Sequence, residues 1–340
     1  MSSTLLLIAI AILLCGVLLF RHIFYPAAQP PETVEFRVEQ GEPFSSVVRR
    51  LREQKVISSE RIFSLWARLS GSEKKIQWGL YRFELPLSPR EVLKRIVAGK
   101  VVFHRVTIPE GLTVEEIAEL LARMAIVDKE RFLAEAANPE LLSALGLQDK
   151  TIEGYLFPNT YQFTPSTPEK EIILIMTEQF RKVFEPLVNG DRRHSDLTPY
   201  EILTLASIIE KEAGIEAERP LVSAVFHNRL KLNMPLQSDP TVIYGIKGFN
   251  GNLTRKDLQH PSPYNTYRIP SLPPGPICNP GLSSIQAALQ PASVPYLYFV
   301  SKNDGTHLFS ETLESHNRAV KTYQSRQEAT LPRKTQSRSR

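Results

Sequence analysis

Two carboxylates two residues apart, Glu210 and Glu212, close an otherwise apolar run, LTLASIIEKEAG, at 203–214. With Ile202 set at 0° on a helix, the stripe Ile202, Leu205, Ala206 and Ile209 centres at about 350°, Glu210 at about 80° and Glu212 at about 280°. Glu210 shares its flank with Leu203, Ala206 and Ala213; Glu212 shares the other with Leu205, Ile208 and Ile209. A carboxyl half-buried on either flank gains pKa through desolvation and suits general-acid chemistry. Helix geometry alone does not choose between them, and two solvated boundary glutamates are the bland alternative.

Other chemistries find little support. Histidines at 22, 104, 194, 227, 260, 307 and 316 lack the H-E-x-x-H spacing of a metal site, so neither metal nor cofactor is expected. There is no G-x-S-x-G nucleophile elbow and no G-x-x-x-x-G-K-[ST] phosphate loop. His227-Asn-Arg229 and His316-Asn-Arg318 fall on predicted helices beside apolar residues, which reads as packing or solvation.

The carboxylate helix is well punctuated: Thr198 caps it, Pro199 suits its first turn, Glu201 completes a capping box and Gly214 ends it. A second helix is predicted over about 218–232, then a Pro-, Gly-, Asn- and Tyr-rich stretch at 235–281 whose aromatics point to an ordered functional loop. A short helix at 284–289, a hairpin about Asn303-Asp304-Gly305 and a closing helix at 312–324 follow. Upstream, VEFRVEQGEPFSSVVRRLREQKVI at 34–57 and HRVTIPEGLTVEEIAELLARMAIV at 104–127 repeat a strand, a Gly turn and a helix at an offset of 70. Tyr81-Arg-Phe83 parallels Tyr161-Gln-Phe163 at an offset of 80, so ten extra residues fall in the second copy near EGYLFPNTY.

From Thr4 to Phe20 there are 17 residues without a charge. With the flanking Ile23, Phe24 and Tyr25 this run suffices for a bilayer core of about 30 Å. No basic residue precedes it and Pro-Ala-Ala-Gln at 26–29 is a poor cleavage site, so an uncleaved anchor is favoured over a removed signal peptide. Leu-Leu before Cys15 departs from a lipobox. The 340 residues, 42% apolar and 23% charged, suit a folded chain of two or three units. Arg333, Lys334, Arg338 and Arg340 account for four of the net charge of +5, which argues against a nucleic-acid surface. Cys15 and Cys278 are too few and too separated to staple the soluble part.

ASIIEKEAG, FHNRLKLNMPLQSDPTVIYG, YNTYRIPSLPPGPICNPG, PYLYFVSKNDGTHLFSETLESHN and EGYLFPNTY, taken together, resemble the MltG (YceG-like) endolytic murein transglycosylases over about residues 34–325. The resemblance implies an α+β chain with an anchor at 1–25, a linker at 26–33, a LysM-like unit at 34–100, a catalytic domain at 101–325 and a disordered basic tail at 326–340. It implies peptidoglycan glycan strands as substrate, a cytoplasmic membrane with the catalytic part outside it, and penicillin-binding synthases as associates. By the same resemblance Glu210 corresponds to the catalytic acid/base, and the product is a 1,6-anhydromuramoyl end. Glu153, Tyr155, Gln237, Asp239, Asn265 and Tyr267 are the nominated substrate contacts, each with a packing or capping role as its alternative. Asn159 stands where the family often has Asp, which weakens an acid role there. A water-using muramidase with Glu153 or Asp239 as second carboxylate, and a glycan-binding scaffold, are the rival readings.

Overall fold

The computed structural model describes residues 3–26, 32–39, 41–147, 151–165, 167–190 and 197–324. Residues 27–31 of the expected linker, the tail at 326–340 and the Cys15 side chain lie outside the described residues. Helices dominate, and the described strands form three two-stranded ribbons, which makes the chain α+β. Contacts divide it into two compact units. The first runs to Val106 and takes in Ala122–Val127 and Gln162–Pro168; the second holds Thr107–Leu121, Asp128–Tyr161 and the chain from Glu169 onward.

The chain begins with α1 (Ser3–Phe24), β1 (Glu32–Val38), α2 (Phe44–Glu53), α3 (Glu60–Leu69), β2 (Gly79–Leu85) and α4 (Pro89–Val97). β1 and β2 pair antiparallel, Glu32 opposite Leu85 and Val38 opposite Gly79. Phe36 and Val38 point inward while Glu35 and Arg37 face out, the period of two that a one-sided ribbon requires. The helices answer with Val47, Val48, Leu51, Phe63, Val92 and Ile96, all buried. Tyr81 enters this core because its hydroxyl donates to the carbonyls of Gln77 (2.7 Å) and Ile96 (3.1 Å). At the end of α1, Phe24 meets Trp66 edge-on at 5.8 Å, and His22 Nε2 lies 2.8 Å from the Ser58 hydroxyl. Among the described residues no helix is long and apolar enough to cross a membrane, several α1 side chains being outside them.

The chain continues with β3 (His104–Thr107), α5 (Val114–Arg123), α6 (Lys129–Ala136), α7 (Pro139–Ala144), β4 (Thr160–Phe163) and α8 (Glu169–Asn189). This repeats the order strand, helix, helix, strand, helix of β1 to α4, with α7 and the EGYLF segment as the added piece. Both copies turn on a left-handed glycine, Gly41 (φ 76°) and Gly111 (φ 80°), where a Cβ would be strained. Then come α9 (Pro199–Glu212), α10 (Arg219–Lys231), α11 (Asp239–Tyr244), α12 (Leu282–Leu289), β5 (Tyr298–Ser301), β6 (His307–Ser310) and α13 (Leu313–Tyr323). The predicted hairpin forms, Ser301 opposite His307, its turn closed by Asp304 Oδ1 accepting from the Thr306 N–H (2.9 Å) and hydroxyl (2.6 Å).

Phe83 is fully buried between two aromatic neighbours, Phe36 and Tyr81. Phe83→Ala should cost roughly 3–5 kcal/mol, read as a lower urea midpoint by circular dichroism; a loss within the scatter of surface substitutions would show that this core is not formed.

Candidate active site

Helix α9 starts from a complete capping box. Thr198 N–H and hydroxyl donate to Glu201 Oε2 (2.8 and 2.7 Å), and Glu201 N–H returns a bond to Thr198 Oγ1 (3.3 Å). Every residue from Ile202 to Ile209 is buried, so the helix is enclosed all round and not along one stripe as its pattern suggests. It is packed by α10, α11 and α12. Its internal hydroxyls find partners: Thr204 donates to Tyr200 O, while Ser207 donates to Thr204 O and accepts Ile277 N–H.

At the C-terminal end Glu210 and Glu212 leave the core on opposite sides and meet different surroundings. Glu210 Oε1 takes a bond from Arg219 Nη2 (3.0 Å), and Oε2 accepts the Gly281 N–H (2.9 Å). Its side chain is 6% exposed, and Arg219 is held in turn by the Ser284 hydroxyl (2.9 Å). This is a clamp between α9, α10 and the start of α12, with both carboxylate oxygens occupied. Among the described residues Glu212 has no cation in direct contact. The Ser238 hydroxyl donates to Glu212 Oε1 at 2.6 Å, and burial pushes the carboxyl up to about 7, with Asp239 adding to the rise and Ser238, His307 and Arg229 opposing it.

Glu212 opens on a pocket of about 400 Å³ lined by Arg229, Leu236, Gln237, Asp239, Tyr267, Phe299, Val300, Ser301, His307, His316, Val320 and Gln324. Gln237 occupies the left-handed region (φ 53°), a costly conformation for a residue with a Cβ. Its amide donates to Thr266 O (3.0 Å) and its side-chain oxygen accepts from Arg229 Nη1 (3.2 Å). Asp239 Oδ1 accepts the Tyr267 hydroxyl (2.6 Å). Arg229 is buried, spanning Leu297 O (2.7 Å) and Leu236 O (2.9 Å) with its guanidinium 5.2 Å from the Tyr298 ring centre. Glu218 accepts the His307 backbone N–H on Oε1 (3.0 Å) and lies 2.7 Å from its Nδ1 through Oε2.

Of the residues nominated from sequence, Gln237, Asp239 and Tyr267 come together around Glu212, and Glu153, Tyr155 and Asn265 do not. Glu153 is 4% exposed and holds the α5 N-terminus, accepting from Val114 N–H (3.1 Å), Asn279 Nδ2 (3.0 Å) and, at 3.4 Å, the Tyr244 hydroxyl. Beside it Gly154 (φ 89°) leaves no room for a side chain, since a Cβ would fall 2.7 Å from Pro276 Cγ. Tyr155 packs edge-on against Phe180 (5.0 Å) at a separate apolar pocket of about 330 Å³. Asn265 is fully buried and ties Leu258 O, His260 O and the Tyr267 N–H, ordering the loop that presents Tyr267. Glu210, the expected acid, is engaged by Arg219 and Gly281 and is absent from the pocket lining.

Sequence reading set aside the Arg229 and His316 triplets as packing or solvation and gave His307 no role. His227, in the same His-Asn-Arg triplet as Arg229, packs as expected, its Nε2 2.9 Å from Ala288 O. His316 stacks on Tyr298 at 5.3 Å and lines the pocket. For His307 the signal available was its place at the head of the second hairpin strand.

A mixed α and β chain with an enclosed carboxyl at the mouth of a polar groove has the arrangement that acid-catalysed cleavage enzymes use. The YceG-like family model matches residues 36–322, and the chain belongs to that family. It is similar to the endolytic murein transglycosylase of Bacillus subtilis, 33% identical over 86% of this chain and 85% of the relative. A Streptococcus pneumoniae relative of the same name is 30% identical over 86% of this chain, which spans only 59% of that protein. The crystal structure of a yceG-like protein from Listeria monocytogenes, 32% identical, superposes with a TM-score of 0.58 over 85% of this chain and all of that one.

Burial pushes the Glu153 carboxyl up to about 7 from an ordinary 4.5. The folded chain therefore binds more protons than the unfolded one between those values, and this group's contribution to stability falls as pH rises through the window. Glu153→Gln keeps an acceptor oxygen for Val114 and Asn279 and removes the charge. Relative to the parent it should gain ~1–3 kcal/mol between about pH 4.5 and pH 7.5, read from urea midpoints at the two pH values; a difference flat with pH would refute the assignment.

Proposed function

We propose that this protein is an endolytic murein transglycosylase that cuts the glycan strands of peptidoglycan, with Glu212 as the acid. The observation that carries the reading is the Glu212 carboxyl, enclosed, bonded by a hydroxyl and not by a cation, and opening on the groove of Gln237, Asp239 and Tyr267. A glycosidic oxygen leaves poorly until it is protonated, and a carboxyl pushed up to about 7 keeps its proton in a large share of molecules at neutral pH, where an ordinary carboxyl has lost it. Tyr267 offers a sugar-stacking face and Gln237 and Asp239 offer polar groups for hydroxyls and acetamides. Once the bond has broken toward an oxocarbenium-like state, the muramoyl C6 hydroxyl, fixed in the same sugar, attacks the anomeric carbon and gives its proton to the Glu212 carboxylate, which leaves a 1,6-anhydro end and the acid restored. Glu210 fits a positioning role, bracing the helix end that carries Glu212.

The finer organisation belongs to the same reading. The uncharged run from Thr4 to Phe20 supports an anchor in the cytoplasmic membrane with the remainder outside. The β1-α2-α3-β2 order with its Gly41 turn supports a LysM-like unit that holds glycan. Synthases of the penicillin-binding class fit as partners, because they make the strand that this enzyme would cut. Asp239, in the same groove as Glu212, favours one second reading: a muramidase in which that carboxylate activates water.

Purified variants on isolated glycan strands test this. Glu212→Gln should keep its circular dichroism and lose roughly 10² to 10⁴ in rate. Glu210→Gln leaves Arg219 with only the more distant Glu110 carboxylate (3.8 Å) and should lower stability by roughly 1–3 kcal/mol while retaining cleavage below its melting point. Mass spectrometry of the products should show anhydro ends; reducing ends would establish the muramidase instead. A folded Glu210→Gln protein without activity, beside an active Glu212→Gln, would return the acid to Glu210.

A further inference from the structure

The face of α10 turned away from the Glu212 groove borders a second polar cavity, of about 450 Å³, lined by His227, Asn228 and Lys231 and by the loop at 291–295. His227 and Lys231 are four residues apart and share one side of the helix, whereas Arg229, which lines the groove, projects from the other. The cavity wall is held in place. Asn228 Nδ2 donates to Val294 O (2.8 Å) and Tyr296 O (3.0 Å), and Ala292 N–H donates to Pro220 O (3.0 Å).

His227 is only 6% exposed, yet it is satisfied at one nitrogen alone. Ala288 O can only accept, so Nε2 carries a hydrogen. Burial lowers the pKa of the ring from its ordinary 6.5, the Ala288 bond opposing and the Lys231 charge adding to the fall. The neutral ring therefore keeps a lone pair on Nδ1, which has no partner among the described residues and is not sealed from the cavity that the ring lines. Asn228 has spent both amide hydrogens, and its Oδ1 is likewise an unused acceptor among the described residues. Lys231, exposed and without an ion-pair partner among the described residues, is the one charged side chain of the lining. Packing of α10 on α12 accounts for the Ala288 bond, but not for two open acceptors and a cation around so large a space.

Resting on the transglycosylase reading above, we propose that this cavity holds the carboxylate end of a peptide stem carried by the murein strand, so that the enzyme acts on peptide-bearing glycan. The Lys231 ammonium takes the terminal carboxylate. His227 Nδ1 accepts the amide N–H beside it, and Asn228 Oδ1 is open to the N–H before that. A bare anion such as phosphate suits the cavity less well, because it would meet two acceptor lone pairs beside a single cation. The reach is short: a helix is about 10–12 Å across with its side chains and an extended peptide covers about 3.4 Å per residue, so about three residues of stem pass from groove to cavity.

Calorimetric titration of the full-length protein tests this with a synthetic stem tetrapeptide ending in D-alanine, its C-terminal amide, and its analogue N-methylated at the last amide. The free acid should bind with a Kd at or below about 1 mM, and the amide about three- to tenfold more weakly. N-methylation should cost about tenfold. Lys231→Gln should bind acid and amide alike and still reject the N-methyl peptide. On isolated strands the parent should show a lower KM for peptide-bearing glycan than for glycan stripped of peptide, and Lys231→Gln should bring that ratio toward one. The proposal is overturned if the acid does not saturate by about 10 mM, if the parent binds acid and amide alike, or if the N-methyl peptide binds as well as the acid. Inorganic phosphate displacing the peptide at equal concentration would also overturn it, as would an acid preference that survives in Lys231→Gln. Acid-selective peptide binding by a protein that cuts neither kind of strand would remove the transglycosylase reading and leave the peptide site; cleavage of both kinds with one KM would do the reverse.

Discussion

Burial raises the cost of charging a carboxyl, and α9 places two carboxyls in different surroundings two residues apart. Glu210 has a guanidinium at 3.0 Å, and Glu212 has a hydroxyl at 2.6 Å. The Glu212 hydroxyl partner leaves most of the desolvation uncorrected, and the carboxyl is pushed up to about 7. The difference comes from neighbours on other elements: Arg219 at the head of α10, nine residues on, and Gly281 before α12 on one side, Ser238 before α11 on the other. Any motion of α10 or α12 relative to α9 would therefore alter which carboxyl is neutralised by its surroundings.

The local signals in the sequence were legible because they are short-range. The capping box at Thr198 and Glu201, the Asn-Asp-Gly hairpin, and the repeated strand, Gly turn and helix each depend on residues within a few positions, and each is formed. The pattern also placed Glu210 and Glu212 on opposite flanks. Which flank held the open groove could not be read from periodicity, because α9 is enclosed on all sides and the deciding partners arrive from loops 26 to 71 residues away. Glu153 misled for the opposite reason. A glutamate in a Gly-containing loop reads as exposed, yet it is the acceptor that holds the first turn of α5 through Val114.

The long Pro- and Gly-rich segment at 235–281 has little regular structure, and buried side chains replace the missing backbone ladders. Asn265 supplies three bonds to its own loop, and Asn279 joins Leu112 O, Glu153 and the Leu156 N–H. Amides suit this task, since one side chain donates and accepts at once without a charge to desolvate. The loop is thus ordered by the same chemistry that in a sheet would come from neighbouring strands.

The path of the chain between its two compact units carries a different implication. It passes from one to the other after residues 106, 121, 127, 161 and 168. Genes exchange folded parts most readily when a part is one uninterrupted stretch, so that a single cut at each end carries it away intact. Here no such excision exists: a fragment ending near residue 100 leaves behind two short pieces that belong to it, and a fragment beginning there carries them as strangers. A single cut in the chain therefore frees neither unit whole.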